Sequence, residues 1–320
     1  MLDMMEKWQV AFYLAAIAAG LTLAEYVPSL PDALTNLLWP ILGLLLYVTF
    51  TQIPLLGIHN AMRDARFITA ALLANFLLLP LLVWGLLFLF PDDPAIRLGV
   101  ALVLLLPCTD WFVAFVQQGR GDLHQAIAFL PVSLVLQALL LPVYLWLFFG
   151  ERIVVAAARQ EMLLAFVCLI VLPFCLAALT ECWAKGKPER AGVTRFLATL
   201  PAPLLAGVVF VIAATQYELV SSSVHLFGPL LLVFSTFLLL TALLAWLLTR
   251  LFRLPVRHGR TLAFSLGTRN SFVVLPLALA LPSGYELTAV TIVFQSLVEL
   301  VGMAIFVWWI PGKVFPEQGV

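Results

Sequence analysis

Residues 98–116 read LGVALVLLLPCTDWFVAFV, an apolar stretch interrupted at Pro107-Cys108-Thr109-Asp110. The flanks would bury well in lipid. The interruption would not. Proline has no backbone N–H to donate and clashes with the preceding helical turn. A carboxylate near a bilayer centre costs about 2.5–3.5 kcal/mol on insertion scales. Such a break survives at membrane depth only where protein or a wet cavity surrounds it. A second break, Gly267-Thr268-Arg269-Asn270-Ser271, lies far downstream between its own apolar flanks. Two interrupted segments in corresponding halves of a chain point to the central site of a transporter.

The composition sets the class. Of 320 residues, 63% are hydrophobic and 11% charged, and the mean hydropathy is +1.09. Soluble domains are about 45–50% apolar and about 25% charged, so this is an integral membrane protein. The net charge of zero gives no reason to expect a nucleic-acid partner. The N-terminus carries Asp3 and Glu6 and lacks a convincing cleavage site, so the first apolar run reads as a retained span. Cys168, Cys175 and Cys182 recur every seven residues and share a helix face. They read as small packing residues rather than as a disulfide or a soft-metal relay.

A membrane-crossing helix needs about 20 apolar residues. Ten candidates follow: 8–25, 35–58, 67–90, 96–118, 123–148, 160–182, 193–215, 226–251, 260–281 and 286–309. Pro91-Asp92-Asp93-Pro94 and Gly119-Arg120-Gly121-Asp122 are turns, and Asp122 is placed to cap the helix after it. With ten spans, 13 lysines and arginines fall on one face and 3 on the other, leaving Arg269 inside the membrane. The positive-inside rule then puts both termini in the cytoplasm of a multi-pass cell-membrane protein. Arginines of the loop between spans eight and nine, Arg250, Arg253, Arg257 and Arg260, read as a solvated rim.

Five spans per half make the second half begin on the opposite side from the first, an inverted repeat. An offset of 162 lays VLQALLLPVYLW (135–146) over LVELVGMAIFVW (297–308), pairing Gln137 with Glu299. An offset near 160 pairs Asp110 with Asn270. The expected fold class is therefore all-α, with ten transmembrane helices in two inverted five-helix repeats and broken, crossed helices 4 and 9. Residues 1–183 hold the first repeat and the start of the second, with the repeat boundary near 150–160. A basic cytoplasmic loop occupies 184–191, and 192–320 complete the second repeat.

Asp110 and Arg269 are the most costly residues to bury, and pairing them would lower the cost of both. Two readings stand side by side: a fixed pair that holds the crossing, or an ion-coupling pair in which Asp110 exchanges a proton and Arg269 tunes it or binds an anion. Glu299 lies mid-span and is either a proton carrier or substrate contact, or an acceptor for the unpaired amides of the broken helix. Gln295 is one turn earlier on the same face. Gln137 occupies the matching place in the first half. Cys108 is either a small packing residue or a soft ligand beside a half-helix start. Thr109, Asn270 and Ser271 supply neutral hydrogen bonds. Asn75 reads as an interhelical bond. Pro80, Pro131, Pro142, Pro173 and Pro276 read as kinks, and Trp146, Trp308 and Trp309 as interface anchors.

On these residues the chain resembles the bile acid:sodium symporter superfamily, and within it the arsenite efflux permease branch. That branch carries a cysteine at its fourth-helix break, matched by Cys108, and a tenth-helix Leu-Val-Glu, matched by Leu297-Val298-Glu299. Its ninth-helix Asn-Asn-Phe-Glu pattern meets Asn270-Ser271-Phe272-Val273, so the glutamate of that break is missing. Asp110 stands where the family has a small residue, and Arg269 is a newcomer. The resemblance implies a core domain of helices 3–5 and 8–10 and a panel of 1, 2, 6 and 7. It also implies alternating-access transport without a cofactor or enzymatic activity, of a small molecule or inorganic oxyacid. Cys108, Thr109, Asn270, Ser271 and Glu299 would bind the cargo. Asp110, Glu299, Arg269, Gln137 and Gln295 would couple it to an ion. The sodium sites of the bile acid branch are degraded here, which leaves proton coupling or uniport. A symporter of small organic anions and a membrane-embedded enzyme using Asp110 with Glu299 are the alternatives, and a homo-oligomer is compatible with either transport reading.

Overall fold

In the computed structural model the described residues are all but 1, 28–29, 53–63, 89–92, 110–111, 151–166, 186–187, 216, 223 and 317–320. Among them there are helices and no strands. The first two helices are α1 (Leu2–Tyr26) and α2 (Leu30–Phe50). Helix α3 (Ala65–Leu87) follows. It is interrupted by a π turn at Ala74–Leu78, two residues before Pro80. The same device recurs where the π turn Val167–Val171 precedes Pro173 in α7 (Leu172–Ala184). A widened turn takes up the hydrogen bond that proline cannot make. Pro80 and Pro173 are thus accommodated by wide turns. Pro131, Pro142 and Pro276 lie inside α-helices.

Two of the expected spans are pairs of shorter helices. Residues 96–118 become α4 (Pro94–Leu105) and α5 (Phe112–Gln118). Residues 260–281 become α12 (Val256–Gly267) and α13 (Ser271–Leu279). Between the two pairs run α6 (Leu123–Phe149), α7, α8 (Ala191–Leu197), α9 (Pro201–Thr215), α10 (Tyr217–Ser222) and α11 (Val224–Leu251). Helix α14 (Glu286–Trp309) closes the chain, ending in a π turn at Ile310–Val314.

Among the described residues, five stretches are long and apolar enough to cross a membrane: Ala65–Leu87, Leu123–Phe149, Gly192–Thr215, Val224–Leu251 and Glu286–Val314. Of the other five expected spans, 96–118 and 260–281 are split, 35–58 and 160–182 are only partly described, and 8–25 lies within α1. Phe12–Tyr26, Asn36–Phe50 and Leu172–Ala184 are shorter apolar helices. The remainder of spans 35–58 and 160–182 falls in part outside the described residues.

Aspartates start three helices. Asp64 accepts from the amides of Arg66 and Phe67, Asp93 from Ala95 and Ile96, and Asp122 from His124 and Gln125. Each satisfies amides that a helix start leaves unpaired. The turn before Asp122 places Arg120 at a positive φ of 55°. Helices α1, α2, α7 and α9 pack on one another. Helices α3 to α6 pack with α11 to α14 in a second group, and α2 and α1 touch it through α13 and α14. Within that group α4 lies so close to α14 that a Cβ on Gly99 would stand 2.8 Å from Thr291 Cβ.

Two expectations about charged and sulfur residues are corrected. Helix α12 begins at Val256, so Arg257 and Arg260 are on a helix rather than in a loop. Arg260 is 2% exposed. It donates to the Phe315 carbonyl through Nε and Nη2 and to the Arg120 carbonyl through Nη1. It pins the C-terminal segment to the α5–α6 turn instead of lying in water. Cys168, Cys175 and Cys182 are all exposed, so they face outward rather than packing inside the protein. In a chain this apolar, that outward surface suits lipid.

Candidate functional site

The two breaks meet. Pro107 and Arg269 form an antiparallel bridge. The Cys108 amide donates to the Thr268 carbonyl at 3.2 Å, and the Asn270 amide donates to the Leu106 carbonyl at 2.9 Å. Each gap thereby satisfies backbone groups of the other, which is what non-helical backbone at membrane depth requires. The local chemistry differs between the two. Leu106 precedes a proline and is extended, with φ −99° and ψ 120°. Thr268 is extended at φ −95° and ψ 136° without any proline. There, polar side chains compete with the helix. Thr268 Oγ1 donates back to the Phe264 carbonyl, and Asn270 Oδ1 accepts from the Val273 amide to start α13.

Around this crossing the polar side chains are buried and hydrogen-bonded in short chains. Cys108, Thr109, Arg269, Asn270, Ser271, Gln295 and Glu299 are each at most 4% exposed. Asn270 Nδ2 reaches across the crossing to Thr109 Oγ1 at 3.2 Å. Ser271 Oγ donates to Gln295 Oε1 at 2.9 Å, and Gln295 Nε2 donates to Glu299 Oε2 at 2.7 Å. Glu299 Oε2 also accepts from the backbone amide of Arg269 at 2.9 Å. Of its two expected roles, the one seen in the geometry is acceptor for the broken helix.

Arg269 is fully buried. Its Nη2 donates to Asn75 Oδ1 at 3.1 Å and to the Ser265 carbonyl, and its Nη1 to the Leu104 carbonyl at 3.4 Å. The guanidinium also lies 5.8 Å from the Phe237 ring, within cation–π range. These hydrogen-bond partners are neutral. Asp110, the expected ion-pair partner, lies outside the described residues. Asn75 had been expected only as an interhelical bond. It makes that bond, with Nδ2 on Ser265 Oγ at 3.0 Å, and it also holds Arg269. It sits in the π turn of α3, and such turns gather at functional sites.

Gln137 is buried at 2% exposure on α6. Neither end of its carboxamide has a hydrogen-bond partner among the described residues, and the same holds for Ser133 Oγ. Of the residues expected at the site, Thr109, Arg269, Asn270, Ser271, Gln295 and Glu299 take part in these bonds and Cys108 joins through its backbone amide, while Ser133 was not among the expected residues.

Discontinuous helices meeting at their interruptions are how many secondary transporters build their central site. The profile of the Sodium Bile acid symporter family matches residues 39–226, more than half of the chain. The chain belongs to that family, and it is a multi-pass membrane transporter. No curated protein matches it.

Proposed function

We propose that this chain is a secondary transporter working by alternating access, built from two inverted five-helix repeats, and that it exports a neutral, thiophilic oxyacid of the arsenite kind. The observation that carries the reading is the paired gap: Cys108 bonds Thr268 and Asn270 bonds Leu106. The repeat is supported by register. Adding 162 to 94–105, the bounds of α4, gives 256–267, the bounds of α12. The bridge pairs Pro107 with Arg269, and 269 − 107 is again 162. The same offset relates Gln137 to Glu299, so it supersedes the offset of 160 that set Asp110 against Asn270. On this reading α1, α2, α7 and α9 are the panel, the helices around the crossing are the core, and both termini are cytoplasmic.

The cargo class rests on Cys108. Cys108 is 4% exposed, in the first gap and next to Thr109 in the chain. Sulfur is a soft ligand and suits a soft centre. The coupling rests on charge. The breaks and α14 carry Asp110, Arg269 and Glu299, two carboxylates against one guanidinium. A proton taken up by one carboxylate would balance them. Glu299 is the better placed of the two, because protonation would weaken the bonds it accepts from Arg269 and Gln295 and so loosen the crossing. Expression in an arsenic-sensitive host should lower cellular arsenic, and Cys108→Ala should remove that effect. Unchanged arsenic with the intact chain present rejects the cargo.

One observation favours a second cargo. Arg269 Nε has no hydrogen-bond acceptor among the described residues, and the family is that of an organic-anion symporter. If an organic anion is carried, Arg269→Ala abolishes its uptake and leaves any arsenite export in place.

A further inference from the structure

We infer that Ser133 and Gln137 form a second, uncharged subsite beside the first gap, made to hydrogen-bond a neutral hydroxylated ligand. The inference rests on reading the paired gaps as the transport site. It starts from the offset of 162. Applied to the buried network of the second half, it takes Ser271 to Thr109, Gln295 to Ser133 and Glu299 to Gln137 (271 − 162 = 109, 295 − 162 = 133, 299 − 162 = 137). In the second half those residues are joined: serine to glutamine, glutamine to glutamate, glutamate to the Arg269 amide. In the first half the residue in the place of Arg269 is Pro107. Proline has no N–H. The donor that would hold the α6 side chain is chemically absent.

The consequence is visible in α6. Ser133 Oγ, Gln137 Nε2 and Gln137 Oε1 are buried without a hydrogen-bond partner among the described residues. Ser133 and Gln137 are 0% and 2% exposed. They are four residues apart and so share a helix face, on a helix that packs against both arms of the first gap. Three such atoms left empty would each carry a desolvation penalty. A bare cation would satisfy the oxygens and confront the amide N–H. A bare anion would do the reverse. A ligand that both donates and accepts, a neutral oxyacid or polyol, satisfies all three. Exchanging the two ends of the carboxamide leaves this argument unchanged, because both ends are unpartnered.

The test uses the purified full-length chain and two probes, each followed by thermal shift. Boric acid is neutral and hydroxylated but not thiophilic, so it reads the subsite without Cys108. Arsenous acid reads both. Both should stabilise the wild type. Gln137→Leu should weaken binding of at least one probe by about threefold to tenfold, the size of a lost hydrogen bond, while raising the melting temperature of the ligand-free protein. Ser133→Ala, a smaller change, should weaken binding in the same direction and serves if the first variant does not fold. Unchanged affinity for both probes in these variants overturns the subsite, as does a wild type that binds neither. Binding of boric acid that depends on Gln137, with no response to arsenous acid, keeps the subsite and rejects the arsenite cargo. Binding of arsenous acid that depends on Cys108 alone keeps the cargo and rejects the subsite.

Discussion

Glu299 carries two duties at one oxygen. Its Oε2 holds the Arg269 amide and the Gln295 carboxamide together, and on the proposed mechanism the same carboxylate takes up a proton. The two can be separated. Glu299→Gln keeps an acceptor oxygen, so the melting temperature should stay close to that of the wild type while the pH dependence of export disappears. Glu299→Leu removes the acceptor and strands the Arg269 amide, which should cost about 1–3 kcal/mol, read by thermal or chemical unfolding. If Glu299→Gln exports with an unchanged pH profile, the proton carrier lies elsewhere. Arg269 poses the opposite question. Asn75→Ala should destabilise by a similar or larger amount, because a buried guanidinium loses an acceptor. Adding Arg269→Met should recover much of that loss, since the stranded charge is gone. A double variant no more stable than Asn75→Ala would show that the pair is not coupled.

Elements were legible in the sequence where their signals are local. Pro107 marks one gap, Asp122 starts the helix after it, and the spacing of Gln295 and Glu299 puts them on one face. Each rests on neighbours within a turn or two. What was not legible depends on residues far apart. Arg260 looked like a loop arginine until Phe315 and Arg120 came to meet it across 55 and 140 positions. Arg269 finds Asn75 across 194 positions, and no pattern in either stretch announces that contact. The outward-facing cysteines of α7 and its π turn were missed for a related reason, since heptad spacing shows that residues share a face but not which way the face looks. Two predictions belong to elements. Asp122→Ala removes the acceptor of the His124 and Gln125 amides and should destabilise by about 1 kcal/mol in thermal unfolding. Gly99→Val should disrupt the contact of α4 with α14, where a Cβ already meets Thr291 at 2.8 Å. Loss of folded protein on size exclusion, with Gly192→Ala as a control in open space, is the expected outcome.

For the molecule as a whole, two groups of helices touch along α2–α13 and α1–α14. Alternating access by rocking of one group against the other would change those contacts and leave the crossing intact. A cysteine pair joining α2 to α13 should therefore stop transport when oxidised and restore it when reduced. A pair joining α1 to α9, both within the first group, should leave transport unaffected. The lysine and arginine asymmetry makes a separate claim about orientation. A single reactive cysteine at Lys313 should be modified only from the cytoplasmic side.

The bridge at Pro107 and Arg269 has one more consequence. Backbone atoms make it, through Leu106, Cys108, Thr268 and Asn270, and backbone atoms are common to nearly every amino acid. The joint is thus indifferent to much of its side-chain lettering but not to the count of letters. Inserting or deleting one residue between 106 and 108, or between 268 and 270, would put every side chain beyond the joint out of phase with its counterpart. Such length changes should be lethal to export in a saturation library even beside Leu106, where other apolar residues should still pass.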